Sequence, residues 1–155
     1  MDTEREYLTK EKFEELQKEL EVLKTVTRKT VADQLEYARS LGDLSENAEY
    51  QEARENQAKI EGRITQLEEI LKTAVIISHK SSDVVEVGSE IEIQKAKESD
   101  THTYFLVGSE EADISKNKIS NHSPLGVALL GKKKGEEFDF QTPKGKVKYK
   151  IVNVK

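Results

Sequence analysis

The chain has 155 residues, of which 35% are apolar and 35% charged, with no Cys, no Trp and a formal net charge of −5. That balance excludes one large globular core spanning the whole length, so part of the chain is expected to be an exposed, extended element. Absence of cysteine excludes a disulfide framework, a thiolate metal site and a thiol nucleophile. The charged start "MDTEREYLTKEKF" is no signal peptide and no apolar run reaches the length of a membrane span, so a soluble cytoplasmic protein without membrane contact is expected.

Charge divides the chain. Residues 1–78 hold 12 Lys and Arg against 18 Asp and Glu, a net of −6, whereas residues 79–155 hold 13 against 12, a net of +1. General nucleic-acid binding calls for a strongly basic domain and is disfavoured by this distribution. The two halves are predicted to be two domains, 1–78 and 79–155, with the boundary at "SHKSSD", where helical period is lost in a Ser cluster.

In the first half, Phe13, Leu16, Leu20, Leu23, Thr27, Val31, Leu35 and Ala38 follow steps of three and four. After a short connection at Gly42, Ala53, Ile60, Ile64, Leu67, Leu71 and Ala74 do the same. Each arm has one narrow apolar seam that it cannot bury alone, which predicts an antiparallel coiled-coil hairpin. The first arm, from Lys10 to Arg39, would be roughly 45 Å long at about 1.5 Å per residue. Because the hairpin satisfies its own seam, a monomer is expected. Arg28, Lys29, Arg39, Arg54 and Arg63 are candidates for a basic face that meets an anionic groove.

The tip of this hairpin, "SLGDLSENAEY" at 40–50, carries Asp43, Glu46 and Glu49. Two readings stand side by side. Asp43 with Glu46 three residues later has the form of a capping box for the second arm, and acidic residues in a first helical turn favour the helix dipole. Alternatively, two exposed carboxylates offer oxygen ligands to Mg²⁺, an incomplete set that would finish a site belonging to a partner.

The second half changes to period two. "VVEVGSEIEIQK", "THTYFLVG" and "GKVKYKIVNVK" read as strands, and in the last Lys146, Lys148 and Lys150 face one way while Val147, Tyr149 and Ile151 face the other. A sheet with one wet face is predicted, antiparallel in character. Within it "SPLGVALLGKK" predicts one short helix, with Ser123 as N-cap, Pro124 at the first helical position and Gly131 as the stop. The fold class is therefore α+β. No phosphate-cradling glycine loop is present, His79, His102 and His122 lack ligand spacing, and no Ser/His/Asp arrangement has local support.

"GDLSENAEYQEARENQAKIEGRI" resembles the coiled-coil tip and second arm of the bacterial transcript cleavage factors of the GreA/GreB family. "VGSEEAD" and "ISNHSPLGVALLGKKKGEEFDFQTPKG" resemble that family's C-terminal domain in order and spacing, so the likeness spans nearly the whole chain. The resemblance implies an FKBP-like C-terminal domain at the rim of the secondary channel of bacterial RNA polymerase, with the coiled coil reaching the active centre. There Asp43 and Glu46 would help to hold a Mg²⁺ ion shared with the polymerase and position water for hydrolysis of backtracked RNA at its 3′ end. The protein would stimulate a catalytic activity not its own.

The resemblance also places Tyr50 near the reactive RNA end, or as a support of the turn, with Arg39 and Arg54 beside it. Asp113, Ser123 and Pro124 fall in segments matching those that contact the polymerase rim. Arg28-Lys29 stands where relatives often carry Arg-Pro, a departure that bears on helix geometry and on the basic patch. Two other classes stand beside this one: a channel-binding regulator that does not cleave, against which the intact "GDLSEN" speaks, and a prolyl isomerase, suggested only by the implied fold.

Overall fold

The computed structural model describes residues 5–43, 46–78 and 82–155. It divides into two compact units, Glu11–Ala74 and a second that joins the N-terminal segment up to Lys10 to Val75–Lys155. No described helix is long and apolar enough to cross a membrane.

The first unit is a helical hairpin. Its first arm runs through α1 (Lys10–Val22), a π-turn (Leu23–Thr27) and α2 (Arg28–Ser40), and its second arm is the single helix α3 (Ala48–Thr73). Leu16, Val31 and Ala38 are buried from one arm, and Tyr50, Ala53, Ile64, Leu67 and Ile70 from the other. Ile70 and Tyr50 join the seam expected from spacing. The π-turn has a cause in that spacing: Leu23, Thr27, Val31 and Leu35 are three successive steps of four, which on a straight α-helix would rotate the seam by roughly 120°. The wider turn absorbs the drift. Val22 and Val26 are left on the outer surface, 51% and 64% exposed.

Among the described residues, ion pairs cross between the arms at three places. Arg63 donates from Nε and Nη2 to the two carboxylate oxygens of Glu19 at 2.7 and 3.1 Å. Arg28 does the same to Glu61, at 2.9 Å for both bonds, and Lys24 pairs with Glu68. The two-pronged hydrogen bonds hold the Glu19 and Glu61 carboxyls below the ordinary glutamate range.

In the second unit, β1 (Tyr7–Leu8) and β2 (Val75–Ile76) form a parallel pair. Tyr7–Leu8, which charge and period assign to the hairpin half, thus belongs with the C-terminal unit. The main sheet has the order β5–β4–β3–β7–β6, built from β3 (Glu90–Lys95), β4 (Thr101–Val107), β5 (Lys118–Ser120), β6 (Glu137–Thr142) and β7 (Gly145–Val154). Its neighbours are antiparallel except at one edge, where β4 and β5 run parallel. The antiparallel expectation is corrected there because the connection from β4 to β5 passes through two short 3₁₀ turns, Ser109–Glu111 and Ile114–Lys116, rather than a hairpin.

Val85, Ile91, Ile93, Leu106, Leu129, Phe138, Ile151 and Val154 make the core of this unit. The Phe138 and Tyr149 rings stack at 5.7 Å across the β6–β7 pair. On its wet face Lys146, Lys148 and Lys150 stand opposite Gln141, Asp139 and Glu137, so the lysine row is matched by a partly acidic one. Glu111 accepts from the backbone N–H and the hydroxyl of Thr9 at 3.1 and 2.7 Å, fixing the chain just before α1.

Candidate functional site

The hairpin tip begins where α2 ends. Gly42 takes φ +112°, in the region that glycine tolerates, and turns the chain out of the helix. Asp43 and Glu46 follow, both exposed and both outside the helices.

The cap of α3 is Asn47, not Asp43. Asn47 has extended backbone, and its Oδ1 accepts from the Tyr50 N–H at 3.1 Å. Its Nδ2 donates to the Ala38 carbonyl at 2.6 Å, an oxygen that also accepts from the Leu41 N–H at 3.2 Å. The capping box expected from Asp43 and Glu46 is therefore replaced by an asparagine cap that also reaches the other arm. Asn and Asp cap equally well, and the long-range bond to Ala38 decides between them. Glu49 lies in the first turn of α3, where its charge suits the helix dipole.

Tyr50 is the first seam residue of α3 and is 9% exposed. The Arg39 and Arg54 guanidinium carbons lie 6.0 and 5.9 Å from its ring centroid, within the range of attraction to an aromatic face. Tyr50 thus supports the turn, and it brings Arg39 and Arg54 together in a hollow that Leu35 and Gln57 also line. The five basic candidates do not act as one stripe. Arg28 and Arg63 are engaged by Glu61 and Glu19, and Lys29 is exposed in the first turn of α2, which leaves Arg39 and Arg54 as the cationic pair beside the tip.

Among the described residues no group of three or more His, Asp or Glu is placed to hold a metal. The tip supplies two carboxylates, a hard oxygen donor set suited to Mg²⁺ as part of a larger coordination shell. His102 lies on β4 and His122 in the turn before the short helix; His79 lies outside the described residues.

Asp113, Ser123 and Pro124 come together in the second unit around a hollow of about 600 Å³. Asp113 accepts from the Ser115 hydroxyl at 2.6 Å and from its N–H at 3.0 Å, bonds that hold the Asp113 carboxyl below its ordinary range. Its backbone role is to cap the turn Ile114–Lys116, which presents Ile114 at 88% exposure. Ser123 caps α4 (Pro124–Leu129) by accepting from the Gly126 N–H at 3.1 Å, and it donates to the Ser120 carbonyl at 2.6 Å. The hydroxyl is thus occupied by the fold, as the sequence predicts. Exposed Pro124, with Ile114, Leu125 and Phe140, gives the hollow its apolar character. Ile114 and Asn47 were missed from sequence, although a lone isoleucine in the polar loop "ADISKNK" was a usable signal.

Comparison with known proteins covers both units. Residues 6–76 match the family model described as transcription elongation factor, N-terminal, and residues 80–155 match the model described as transcription elongation factor, GreA/GreB, C-term. The chain is 47% identical to transcription elongation factor GreA of Bacillus cytotoxicus and 46% identical to that of Clostridium acetobutylicum, in each case over the full length of both chains. Among solved structures, GreA factor homolog 1 of Thermus thermophilus is 31% identical, with 97% of this chain and 99% of that one covered and a TM-score of 0.45.

Proposed function

This chain belongs to the GreA/GreB family of transcription elongation factors, and from that premise we propose that it binds bacterial RNA polymerase through the secondary channel and stimulates cleavage of the 3′ end of backtracked RNA. The observation that carries the proposal is the pair of exposed carboxylates, Asp43 and Glu46, placed at the end of a hairpin and ahead of the Asn47 cap. The cap of α3 is supplied by Asn47.

Asp43 and Glu46 would hold Mg²⁺ jointly with polymerase carboxylates. When bound there, the cation supplies electrostatic stabilisation of an in-line displacement and makes water a better nucleophile near neutral pH. Two carboxylates fit this shared role and are too few for a resident metal, so the hydrolysis belongs to the polymerase centre. Arg39 and Arg54, gathered over Tyr50, supply positive charge to an RNA phosphate close to the acids. The hollow formed by Asp113, Ile114 and Pro124 would dock the second unit on the polymerase rim, its apolar residues giving contact area and Asp113 a charge for a basic partner residue.

The test is Mg²⁺-dependent RNA cleavage in backtracked polymerase complexes, comparing no factor, wild type and Asp43→Asn. Removing one carboxylate charge should abolish most of the stimulation while binding to polymerase is retained. Wild type that binds and never accelerates cleavage would identify a non-cleaving channel regulator instead.

A further inference from the structure

We propose that Asn47 is a positioning residue for the tip acids, acting through its bond to the other arm rather than only as a helix cap. The inference rests on the cleavage reading above. Its basis is that one side chain makes two different bonds: Oδ1 accepts from Tyr50 in its own helix, and Nδ2 donates to Ala38 near the end of α2. The second bond closes a loop containing both Asp43 and Glu46. Breaking it releases Asn47, the neighbour of Glu46, from the end of α2, and the acids lose a fixed point that joins the two arms beside them.

Carboxylates that contribute to a shared metal site must meet their partners within a fraction of an ångström. A misplacement of about 1 Å costs on the order of 100-fold in rate. A cap needs only an acceptor, which serine and aspartate also provide. The bond to the Ala38 carbonyl needs a donor on a side chain of this reach, which aspartate lacks and serine is too short to place. Cap and clasp are therefore separable by substitution.

The experiment compares wild type, Asn47→Ser, Asn47→Asp and Asp43→Asn for polymerase binding, for RNA cleavage across a Mg²⁺ titration, and for hydrogen exchange at the Tyr50 amide of the free protein. Serine keeps the cap without adding charge, so the Tyr50 amide of Asn47→Ser should stay protected to within about threefold. Polymerase binding should also be retained, while stimulation at saturating factor falls 10- to 100-fold and the Mg²⁺ concentration for half-maximal cleavage rises. Asn47→Asp should behave likewise. Cleavage and Mg²⁺ dependence in Asn47→Ser equal to wild type would overturn the positioning role while leaving the cleavage reading intact. Loss of Tyr50 protection in step with activity would overturn it too, since Asn47 would then be a cap alone. If wild type itself fails to stimulate, the cleavage reading falls and this inference with it.

Discussion

Replacing Gly108 by Ala would test how the N-terminal strand is held to its unit. A Cβ built there lies 1.8 Å from the Tyr7 carbonyl oxygen and 2.9 Å from its carbonyl carbon, and those atoms are backbone that cannot swing aside. Gly108 has φ −70° and ψ 164°, which alanine adopts without strain. The conformational term alone would favour alanine by about 0.4–1 kcal/mol through the unfolded chain. Overpacking opposes it with about 1–3 kcal/mol and should win.

Release of β1 sets the ceiling on that strain. Leu8 is fully buried, which contributes about 1.5–3 kcal/mol. The bonds from Val75 N–H to the Glu6 carbonyl at 2.7 Å and from Ile77 N–H to the Leu8 carbonyl at 2.8 Å add about 1 kcal/mol each. The strain lies below this ceiling, so β1 should remain paired but be weakened by a net of about 1–2 kcal/mol. Hydrogen exchange at the Val75 and Ile77 amides should then quicken by roughly 5–30-fold, while the Ile151 amide, bonded to the Glu136 carbonyl in the main sheet, should not change. Unaltered exchange at Val75 and Ile77 would refute the tight approach at Gly108.

Two further outcomes are expected. The Glu19 carboxyl is depressed by its hydrogen bonds from Arg63, so its stabilisation is fully present above the ordinary glutamate value of about 4.5 and is lost as pH falls through the lower folded value. Glu19→Gln should therefore lower the hairpin's thermal midpoint slightly at pH 7, by the roughly 0.2–1 kcal/mol of an exposed pair, and the difference from wild type should vanish in acid; a gap that persists at low pH would show that the ion pair is not its source. Ile114→Lys should change stability by less than about 0.5 kcal/mol, because the side chain is 88% exposed, yet weaken polymerase binding roughly tenfold, or about 1.4 kcal/mol, in a competition assay.

The hairpin was legible in the sequence because its stabilising contacts repeat: every seam position from Phe13 to Ala38 is at least partly buried. Even the π-turn left a trace, in the three consecutive steps of four from Leu23. Features set by distant partners were not legible. Both Asp43 and Asn47 are good caps by type, and only the bond to Ala38, nine residues away in sequence, selects Asn47. β1 and β2 are two residues each, too short to show a period, and their pairing joins segments 68 residues apart. β5 is three residues long, and its parallel register with β4 follows from the path of the turns between them. Asp43 and Glu46 were visible as an acidic tip, but the spacing of local charges is the same for a capping box as for a ligand pair.

Asn47 also explains how the acidic tip can be altered without loss of the hairpin. The ion pairs between the arms are exposed and add little stability of their own; their two-pronged geometry at Glu19 and Glu61 serves better to set the register of one arm on the other. The apolar seam supplies most of the cohesion, and on α3 it begins at Tyr50, one residue pair past Ala48. Asp43 and Glu46 lie beyond that limit, exposed, where a change of charge removes no packing and leaves the cap in place. Substituting Glu46 should therefore leave the thermal midpoint within the small range of surface changes. A loss of RNA cleavage in such a variant could then be assigned to the carboxylate itself, whereas a midpoint that fell with it would mean that Glu46 also holds the tip together.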